Sequence, residues 1–452
     1  MSATVAAIAT AQGKGALGVI RISGDNAISI ADRVFFAFSG KKLSELKGYT
    51  AAYGQVKDGD VVLDDCVALV FRAPHSFTGE DTVEISLHGG SIILRETLRL
   101  ILANGADTAA PGEFTKRAFL NGKTDLTKAE SIMGLISAES DAQLRLSRAA
   151  HLGKTAEKIE KIIEDLTKAD AAISVYSDYP DEDIEGLDFD GFSAMLHSSK
   201  EKLCTMLQEY DIGKVLREGI DTAIVGKPNV GKSSLMNMLS GTDRSIVTDI
   251  AGTTRDVIEE TVQIGDVILR LADTAGIRDT GDTIESIGVD LAKQRISTAQ
   301  LILAVFDGAQ TLDSDDYSLI KSLDPKNTLI IINKTDLENR LEKEVFKDFT
   351  VAEISAKENT GRDILTQKIA EITGTAKLSH DSAILINERQ RACAVKALDS
   401  VTEALNALLC GQTLDAVGIC LDDALSALFQ LTGKRVTNEV ADEIFRSFCV
   451  GK

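Results

Sequence analysis

The stretch Gly226-Lys227-Pro228-Asn229-Val230-Gly231-Lys232-Ser233 decides the fold of the central part of this chain. It fits the phosphate-loop pattern GxxxxGK[ST], in which backbone N–H groups turn onto phosphate oxygens. The apolar run 222–225 before it predicts a strand, and residues 234–239 after it predict the start of a helix. The N-terminus of such a helix adds positive potential where the phosphates lie. The stretch therefore predicts an α/β P-loop domain that binds a nucleotide.

Individual residues of this loop are predicted to carry the phosphate chemistry. Lys232 is expected to neutralise charge on the β- and γ-phosphates, and Ser233 is expected to offer an oxygen to Mg²⁺. The predicted nucleotide contacts of the loop and of the first helical turn are Asn229, Val230, Gly231, Lys232, Ser233 and Ser234.

Three further motifs predict which nucleotide is bound. Asp273-Thr274-Ala275-Gly276 follows the apolar run 267–271, which places a carboxylate near Mg²⁺ and a glycine near the γ-phosphate. Asn333-Lys334-Thr335-Asp336 follows the apolar run 329–332, and a carboxylate there can accept from both the N1–H and the exocyclic amine of guanine. Ser355-Ala356-Lys357 suits a loop that contacts the guanine oxygen. Because adenine lacks that pair of donors, the motifs together predict GTP.

The sequence departs from Ras-type GTPases at the position that orients the attacking water. Those enzymes place a glutamine directly after the DTAG-type motif, whereas this chain has Ile277. No arginine finger can be assigned from the sequence either, so hydrolysis needs another water-orienting group and another cation. Glu285 is a candidate for the first role, and a solvated helix residue is the alternative interpretation.

Length and composition bound the rest of the chain. At 452 residues it exceeds one core, so roughly two to four domains are expected. Hydrophobic residues make up 44% and charged residues 26%, which is ordinary for a soluble globular protein. No apolar run reaches the length of a membrane-spanning helix and no secretory signal pattern is present, so no membrane association is expected.

Cysteine usage and charge narrow the setting further. The six cysteines lack metal-binding or disulfide spacing, which fits a reducing cytoplasm. The net charge of −20 argues against non-specific binding of nucleic acid by the chain as a whole. It leaves open an RNA contact through a local basic face or through a partner protein.

The pattern of hydrophobic residues divides the chain into four segments. Residues 1–118 mix short β-branched runs with one helical pattern at 91–103, which predicts an α+β domain. Residues 119–217 and 377–452 carry apolar residues at three- and four-residue intervals, which predicts an all-α helical domain. Residues 218–376 form the predicted Ras-like GTPase domain. The expected fold is therefore multidomain, with the α/β P-loop domain inserted into the helical domain.

A glycine-rich stretch near the start requires a separate interpretation. Gly13-Lys14-Gly15-Ala16-Leu17-Gly18 fits the dinucleotide pattern GxGxxG. A dinucleotide fingerprint leads into a helix, but residues 19–24 have the pattern of a second strand. A hairpin loop is therefore predicted here, and no nicotinamide cofactor is expected.

Further motifs lie outside the nucleotide site. They are Gly18-Val19-Ile20-Arg21-Ile22-Ser23-Gly24, Phe77-Thr78-Gly79-Glu80-Asp81, His88-Gly89-Gly90, the stretch 111–126, Asp249-Ile250-Ala251-Gly252-Thr253-Thr254-Arg255-Asp256 and Cys449-Val450-Gly451-Lys452. Together with the GTPase motifs, they make the chain similar over its whole length to the bacterial family of tRNA-modification GTPases called MnmE or TrmE.

The resemblance implies a homodimer whose N-terminal domains bind 5-formyltetrahydrofolate or methylene-tetrahydrofolate as the one-carbon donor. It also implies a heterotetramer with an FAD-dependent subunit of the MnmG type. Together the subunits would add an aminomethyl or carboxymethylaminomethyl group to carbon five of the wobble uridine of tRNA. By motif match, the folate contacts are expected at Arg21, Glu84, Lys123 and Lys452. Cations suit a glutamate-tailed ligand, and a carboxylate can accept from pterin N–H groups.

The resemblance also implies how GTP hydrolysis is completed. K⁺ would take the place of the arginine finger, and Glu285 falls at the water-orienting position. Hard oxygen ligands suit such cations. The expected K⁺ ligands are Asn229, Thr253 and the carbonyls of Thr248 and Ile250, the expected Mg²⁺ ligands are Ser233 and Thr254, and Thr248 and Thr254 are also expected GTP contacts.

Cys449 has two open interpretations. A cysteine at the end of an apolar helical pattern, here 444–449, is typical of core packing. The resemblance instead implies a catalytic role near the folate, where a neighbouring lysine would favour the thiolate. Such a thiolate could attack carbon six of uridine.

Two other function classes compete with an RNA-modifying enzyme. A ribosome-assembly GTPase shares the phosphate loop and the missing glutamine, but it usually carries a basic RNA-binding domain, which is not evident in this sequence. A signalling switch has no use for a folate-type N-terminal domain. The sequence therefore favours the tRNA-modifying GTPase, with a ribosome-assembly GTPase as the alternative.

Overall fold

A computed structural model describes the chain over residues 3–11, 13–178, 189–240, 260–271, 296–378 and 382–451. The polypeptide forms two compact units, Met1–Met133 with Asp422–Lys452, and Gly134–Leu421. The segment boundaries expected at residues 118, 217 and 376 stay predictions. No helix within the described ranges is long and apolar enough to cross a membrane.

The described residues form thirteen strands and thirteen α-helices. The strands are β1 Val5–Ile8, β2 Leu17–Ser23, β3 Phe35–Ala37, β4 Thr50–Asp58, β5 Val61–Phe71, β6 Thr82–His88, β7 Asp107–Thr108, β8 Ile220–Val225, β9 Glu260–Ile264, β10 Val267–Leu271, β11 Leu301–Asp307, β12 Thr328–Asn333 and β13 Thr350–Glu353. The helices are α1 Ala27–Val34, α2 Ser91–Ala103, α3 Glu113–Leu120, α4 Leu126–Ile136, α5 Asp141–His151, α6 Lys154–Asp178, α7 Phe189–Glu218, α8 Lys232–Ser240, α9 Ser314–Lys321, α10 Arg362–Ile372, α11 Glu388–Leu409, α12 Leu414–Thr432 and α13 Asn438–Arg446.

The first unit is built on a seven-stranded sheet in the order β3-β4-β5-β6-β2-β1-β7. Neighbouring strands run antiparallel, except that β1 and β7 are parallel. Strands β1 and β2 pair directly across the glycine-rich stretch, with Val5 opposite Ser23. The predicted hairpin is therefore confirmed, although Leu17 and Gly18 of the glycine-rich stretch belong to β2 and not to the loop.

Helices α1 and α2 cover one face of this sheet. On the other, more open face, Val5 and Ala7 of β1 are buried with Phe114. Side chains alternate along a strand, so Ile20, Ile22 and Ile85 are fully buried in the core that includes residues of α1 and α2. The same alternation turns Arg21 and Glu84 to the opposite face, where both remain partly exposed. The α+β prediction and the predicted helix at residues 91–103 are confirmed.

A second apolar cluster in the first unit packs α3 and α4 against α13. Phe445 is fully buried there, and its ring lies 6.2 Å from the ring of Phe119. Gly112, which precedes α3, has a φ of +65°, and a Cβ atom there would lie 2.6 Å from the carbonyl oxygen of Phe445. A glycine is therefore required where the chain passes close to α13.

The second unit contains a six-stranded sheet in the order β13-β12-β11-β8-β10-β9. All neighbours are parallel except β9 and β10. Strands β11 and β12 are buried along their whole lengths, which explains why their sequences are continuous apolar runs rather than alternating patterns. The carboxyl ends of the parallel strands meet at one edge, where loops can build a ligand site. The predicted α/β P-loop domain is confirmed.

The chain enters and leaves this P-loop domain beside the same helices. Helix α7 packs along α11 and against α6. Arg217, at the end of α7, donates from Nη1 to the carbonyl oxygen of Leu385 at 3.1 Å, and Thr155 donates to that of Ile384 at 3.0 Å. These contacts hold the outgoing and returning segments together. The prediction of a helical domain with an inserted GTPase domain is confirmed.

Candidate functional site

The phosphate loop joins the end of β8 to the start of α8. A Cβ atom at Gly226 would collide with the carbonyl oxygen of Val305, and one at Gly231 would collide with the side-chain amide of Asn333. Asn229 has a φ of +64°. Backbone packing, together with this left-handed turn, therefore produces the loop that the GxxxxGK[ST] pattern predicted.

Lys232 lies at the first position of α8, with its ammonium group inside the loop. Its Nζ donates to the carbonyl oxygens of Gly226 at 2.7 Å and Lys227 at 2.6 Å. Burial lowers the pKa of Lys232, because a desolvated ammonium group is penalised. Ser233 and Ser234 are exposed in the same helical turn. The cation and the hydroxyls predicted to meet phosphate and Mg²⁺ therefore lie together at a helix N-terminus.

The guanine-recognition motif is bonded directly to the phosphate loop. Asn333, at the end of β12, donates from Nδ2 to the carbonyl oxygen of Val230 at 2.9 Å. Its Oδ1 accepts from the backbone N–H of Ala356 at 3.0 Å. Lys334 donates to the carbonyl oxygen of Asn229 at 2.9 Å. One motif therefore fixes the spacing between the loop expected at the phosphates and the loop expected at the base.

Asp336, which is predicted to accept hydrogen bonds from guanine, is oriented by a neighbouring serine. Its Oδ1 accepts from the hydroxyl of Ser355 at 2.6 Å. This hydrogen bond lowers the pKa of Asp336, and the charge of the exposed Lys357 acts in the same direction. An ionised carboxylate is the acceptor that the N1–H and amine of guanine require. The structure thus brings together the residues predicted to recognise guanine.

Part of the predicted nucleotide site lies outside the described residues. This applies to Thr248, Ile250, Thr253, Thr254, Asp273, Thr274, Ala275, Gly276 and Glu285, and to Lys452 of the predicted folate set.

Four charged residues near the phosphate loop were missed by the sequence analysis. Lys227 donates from Nζ to Asp313 at 2.6 Å and to Asp316 at 2.7 Å. Asp307, at the end of β11, is buried and pairs with Lys334 at 2.7 Å. A capping box is visible in the sequence as Asp313-Ser314-Asp315-Asp316 and would have predicted the start of α9. Nothing local in the sequence predicts the partners of Lys227 and Asp307.

The open face of the N-terminal sheet carries a second cluster of predicted residues. Arg21 and Glu84 are directly opposite one another on β2 and β6. Arg21 Nε lies 2.8 Å and Nη2 lies 2.7 Å from Glu84 Oε1. The guanidinium group also lies over the rings of Phe77 and Phe114, at 5.5 Å and 5.4 Å from their centroids. These contacts fix the guanidinium plane.

The C-terminal tail reaches the same cluster. The carbonyl oxygen of Gly451 lies 3.5 Å from Arg21 Nη1. Gly451 has a φ of +94°, and a Cβ atom there would collide with the carbonyl oxygen of Ile8 on β1. The carbonyl of Cys449 accepts from Gly112 at 3.2 Å, while the Cys449 side chain is exposed. Residues from the two ends of the chain therefore meet at Arg21.

Lys123 contacts the segment that carries Phe77. Its Nζ donates to the carbonyl oxygen of Pro74 at 3.0 Å, and Asn121 donates to that of Thr78 at 2.7 Å. This segment is also held by Glu80, whose Oε2 accepts from Arg117 at 2.9 Å. Two of the N-terminal sequence motifs thus interlock through polar contacts that are exposed or partly buried, and these contacts support the segment that carries the aromatic ring beside Arg21.

Taken together, the sheet order, the phosphate loop and the guanine-recognition residues define a P-loop GTPase. A model described as "GTP-binding protein TrmE N-terminus" matches residues 4–123, and one described as "MnmE helical domain" matches residues 126–449. The chain belongs to the MnmE (TrmE) family of tRNA modification GTPases, and it is a GTP-hydrolysing enzyme.

Relatives of this family match over nearly the whole chain. The tRNA modification GTPase MnmE of Clostridioides difficile (strain 630) is 39% identical over 454 residues, covering 99% of both chains. That of Alkaliphilus oremlandii (strain OhILAs) is 40% identical over 460 residues, also covering 99% of both.

Solved structures align over smaller parts of the chain. Aquifex aeolicus Era bound to GDP·AlF4⁻ is 27% identical with a TM-score of 0.26, covering 40% of this chain and 66% of its own. The G domain of T. maritima FeoB is 23% identical with a TM-score of 0.26, covering 34% of this chain and 98% of its own.

Proposed function

We propose that this chain is the GTP-hydrolysing subunit of an enzyme that modifies carbon five of the wobble uridine of tRNA. With an FAD-dependent subunit of the MnmG type, it adds a (carboxymethyl)aminomethyl group. The observation that carries the proposal is the cluster of Arg21, Glu84 and Gly451, three residues distant in sequence that meet on an open sheet face. A GTPase that acted only as a switch has no use for this second site.

The cluster fits a reduced folate that donates the one-carbon unit. Glu84 offers a carboxylate oxygen to pterin N–H groups, and the partly exposed ring of Phe77 offers a surface for stacking. Arg21 and Lys123 supply positive charge for the glutamate tail, and Lys452 follows directly on Gly451. When bound there, 5-formyltetrahydrofolate would supply a carbon at the oxidation level of formate, and methylene-tetrahydrofolate would supply one at the level of formaldehyde. Cys449, with its exposed thiol, is the candidate nucleophile toward uridine carbon six.

At the nucleotide site we propose that K⁺ and Mg²⁺ complete the catalytic machinery. Asn229 is exposed in the phosphate loop, and it is its backbone carbonyl that accepts from Lys334. The hydroxyl of Ser233 is the corresponding oxygen for Mg²⁺. The remaining assigned cation ligands, together with Glu285 as the water-orienting residue, rest on the motif match. A monovalent cation in this place supplies the positive charge that an arginine finger supplies elsewhere.

A homodimer is proposed to form through the open face of the N-terminal sheet. Tyr53 and Val67 pair across β4 and β5 on the same face as Arg21 and Glu84, and Tyr53 is 59% exposed. Phe38 packs against Tyr53, with ring centroids 5.0 Å apart and ring planes tilted by 54°. A contiguous exposed apolar surface of this kind is typical of a protein interface. A second copy of the chain placed there would enclose the folate cluster. The assembly is expected to work in the cytoplasm, where tRNA is modified.

The test is analysis of wobble nucleosides by mass spectrometry in cells that lack the gene. We expect the aminomethyl and carboxymethylaminomethyl uridines to disappear. Wild-type chain and Arg95→Ala should restore them, whereas Arg21→Ala should not. Arg95 is the matched control because it is an exposed arginine of the same unit, on α2. Normal wobble nucleosides together with accumulated ribosomal precursors would overturn the proposal in favour of a ribosome-assembly GTPase.

A further inference from the structure

Lys227 occupies an unspecified position of the GxxxxGK[ST] pattern, and its side chain is directed to two carboxylates at the start of α9. Its Nζ lies 2.6 Å from Asp313 Oδ2 and 2.7 Å from Asp316 Oδ2. The Lys227 side chain is 27% exposed and that of Asp316 is 7% exposed. Charge-assisted hydrogen bonds of this length in a partly dry setting are among the strong polar contacts of a protein.

Contacts that do not involve Lys227 already hold the carboxylates of Asp313 and Asp316 in place. Asp313 caps α9 and accepts from the backbone N–H groups of Asp315 and Asp316 at 3.0 Å and 3.2 Å. Asp316 Oδ2 accepts from the backbone N–H of Asp313 at 3.1 Å. This reciprocal capping box orders both side chains. Lys227 therefore binds a preorganised pair of acceptors.

A second contact holds the neighbouring part of the phosphate loop. Asp307, the last residue of β11, pairs with Lys334, and Lys334 in turn donates to the carbonyl oxygen of Asn229 at 2.9 Å. Residues 227 and 229 are thus held from different elements, Lys227 from the start of α9 and Asn229 from Lys334, one on each side of Pro228. Asn229 itself has a left-handed backbone, with a φ of +64°.

The rest of the phosphate loop has separate supports. The carbonyl of Val230 is bonded to Asn333, and helix α8 is anchored by the fully buried Leu235. The base-recognition carboxylate, Asp336, is held by Ser355. The carbonyl oxygen of Lys227 is held separately by Lys232 Nζ at 2.6 Å. A displacement of Asn229 would therefore leave the contacts of Val230, Leu235 and Asp336 in place.

We propose that Lys227, Asp313 and Asp316 form a brace that positions Asn229 for GTP hydrolysis, so that the brace sets the rate and not the affinity for nucleotide. The inference rests on the proposed function, in which Asn229 is a K⁺ ligand. Lys227 is here a positioning residue that acts through Asn229. Loss of a lysine that contacts phosphate directly would instead lower the affinity for nucleotide.

The experiment compares variants of the full-length chain in GTP hydrolysis, K⁺ titration and binding of fluorescent GDP. For Lys227→Met we expect kcat to fall about tenfold, which corresponds to about 1.4 kcal/mol. The K⁺ concentration for half-activation should rise by a similar factor, and GDP affinity should stay within about threefold. Lys227→Arg should retain most of the rate, because it keeps two charge-assisted hydrogen bonds. The matched control is Lys321→Met, which removes an exposed lysine from the same helix that the brace caps.

Combination with the acceptors tests the route of action. The double variant Asp313→Asn with Asp316→Asn should lower kcat like Lys227→Met, and the triple variant should be no slower than the slower of the two. The proposal would be overturned if the fold-loss of kcat in the triple variant equalled the product of the losses in Lys227→Met and in the double variant. An unchanged kcat in Lys227→Met would also overturn it. A clear loss of GDP affinity would also overturn it, because Lys227 would then hold the binding site itself. A wild-type chain that ignores K⁺ would refute the cation assignment and not the brace, which the split between kcat and GDP affinity still tests.

Discussion

The substitution Glu84→Gln is expected to weaken folate binding by one to two orders of magnitude without disturbing the fold. Both contacts from Arg21 end on one carboxylate oxygen, Oε1. Oε2 accepts no hydrogen bond within the described ranges, and it is the oxygen that can receive pterin N–H groups. A glutamine that keeps its carbonyl oxygen toward Arg21 presents an N–H₂ group in place of Oε2. The glutamine N–H₂ group and the pterin N–H group are then two donors facing each other, where the wild type has an acceptor opposite a donor.

The magnitude follows from one lost charge-assisted hydrogen bond. Such a bond contributes about 1.5–3 kcal/mol, and about 1.4 kcal/mol is a factor of ten in Kd. The expected rise in Kd is therefore roughly 10- to 150-fold. The effect on stability should be smaller, about 1 kcal/mol or less, since the Arg21 and Glu84 side chains are 18% and 24% exposed and the amide still accepts from Arg21.

Calorimetry with 5-formyltetrahydrofolate on the full-length chain measures this effect. Glu96→Gln is the control, because Glu96 is an exposed glutamate on α2 that is also paired with an arginine, Arg99 at 2.9 Å. Its Kd should equal that of the wild type. A Glu84→Gln chain that binds the folate within about threefold of wild type would refute the reasoning. So would an equal loss in the control.

The remaining predictions concern the GTPase domain. Replacing Na⁺ by K⁺ should raise the hydrolysis rate of the wild-type chain at least about 100-fold if K⁺ replaces an arginine finger. Asn229→Ala should abolish most of this increase and leave GDP affinity nearly intact. Steady-state hydrolysis in both salts measures the effect, and an unchanged K⁺ response in the variant would count against the assignment. Glu285→Ala should cut kcat while GTP binding stays unchanged, and a parallel loss of both would give Glu285 a structural role instead. The hydrogen bond from Lys227 lowers the pKa of Asp313 from 3.8 to about 2. The stabilisation that this contact gives the folded state is complete above pH 4 and is lost as the pH falls toward 2. Asp313→Asn should therefore reduce the slope of Tm against pH between pH 2 and pH 4. An identical slope in wild type and variant would contradict this.

The parts of the site that the sequence predicted are those that depend on adjacent residues. A phosphate loop needs its glycines, lysine and serine within one turn between a strand and a helix, so residues 226–233 report the geometry by themselves. The motif at residues 333–336 is equally local. Alternation along β2 and β6 likewise predicts strands, because a half-buried strand repeats every two residues.

The parts that could not be predicted depend on register and on contacts between distant loops. Arg21 and Glu84 lie opposite one another only because the sheet order places β2 beside β6. Alternation fixes which face each side chain occupies, but it contains no information about the partner strand. The bonds from Lys227 to Asp313 and Asp316 at the start of α9 span a similar distance in sequence. The predicted folate set rests only on family resemblance, whereas Lys227 stands at an unspecified position of the phosphate-loop pattern.

The two ligand sites belong to different compact units, and this division has a consequence for how the enzyme must work. Arg21 and Glu84 lie in the unit that includes both chain ends, whereas Lys232 and Asp336 lie in the other. If Arg21 and Glu84 bind the folate as proposed, we expect GTP hydrolysis to act on the one-carbon chemistry through a change of conformation or assembly. On this view, Glu84→Gln and Glu285→Ala should abolish the same tRNA modification, although each leaves the ligand of the other site bound with normal affinity.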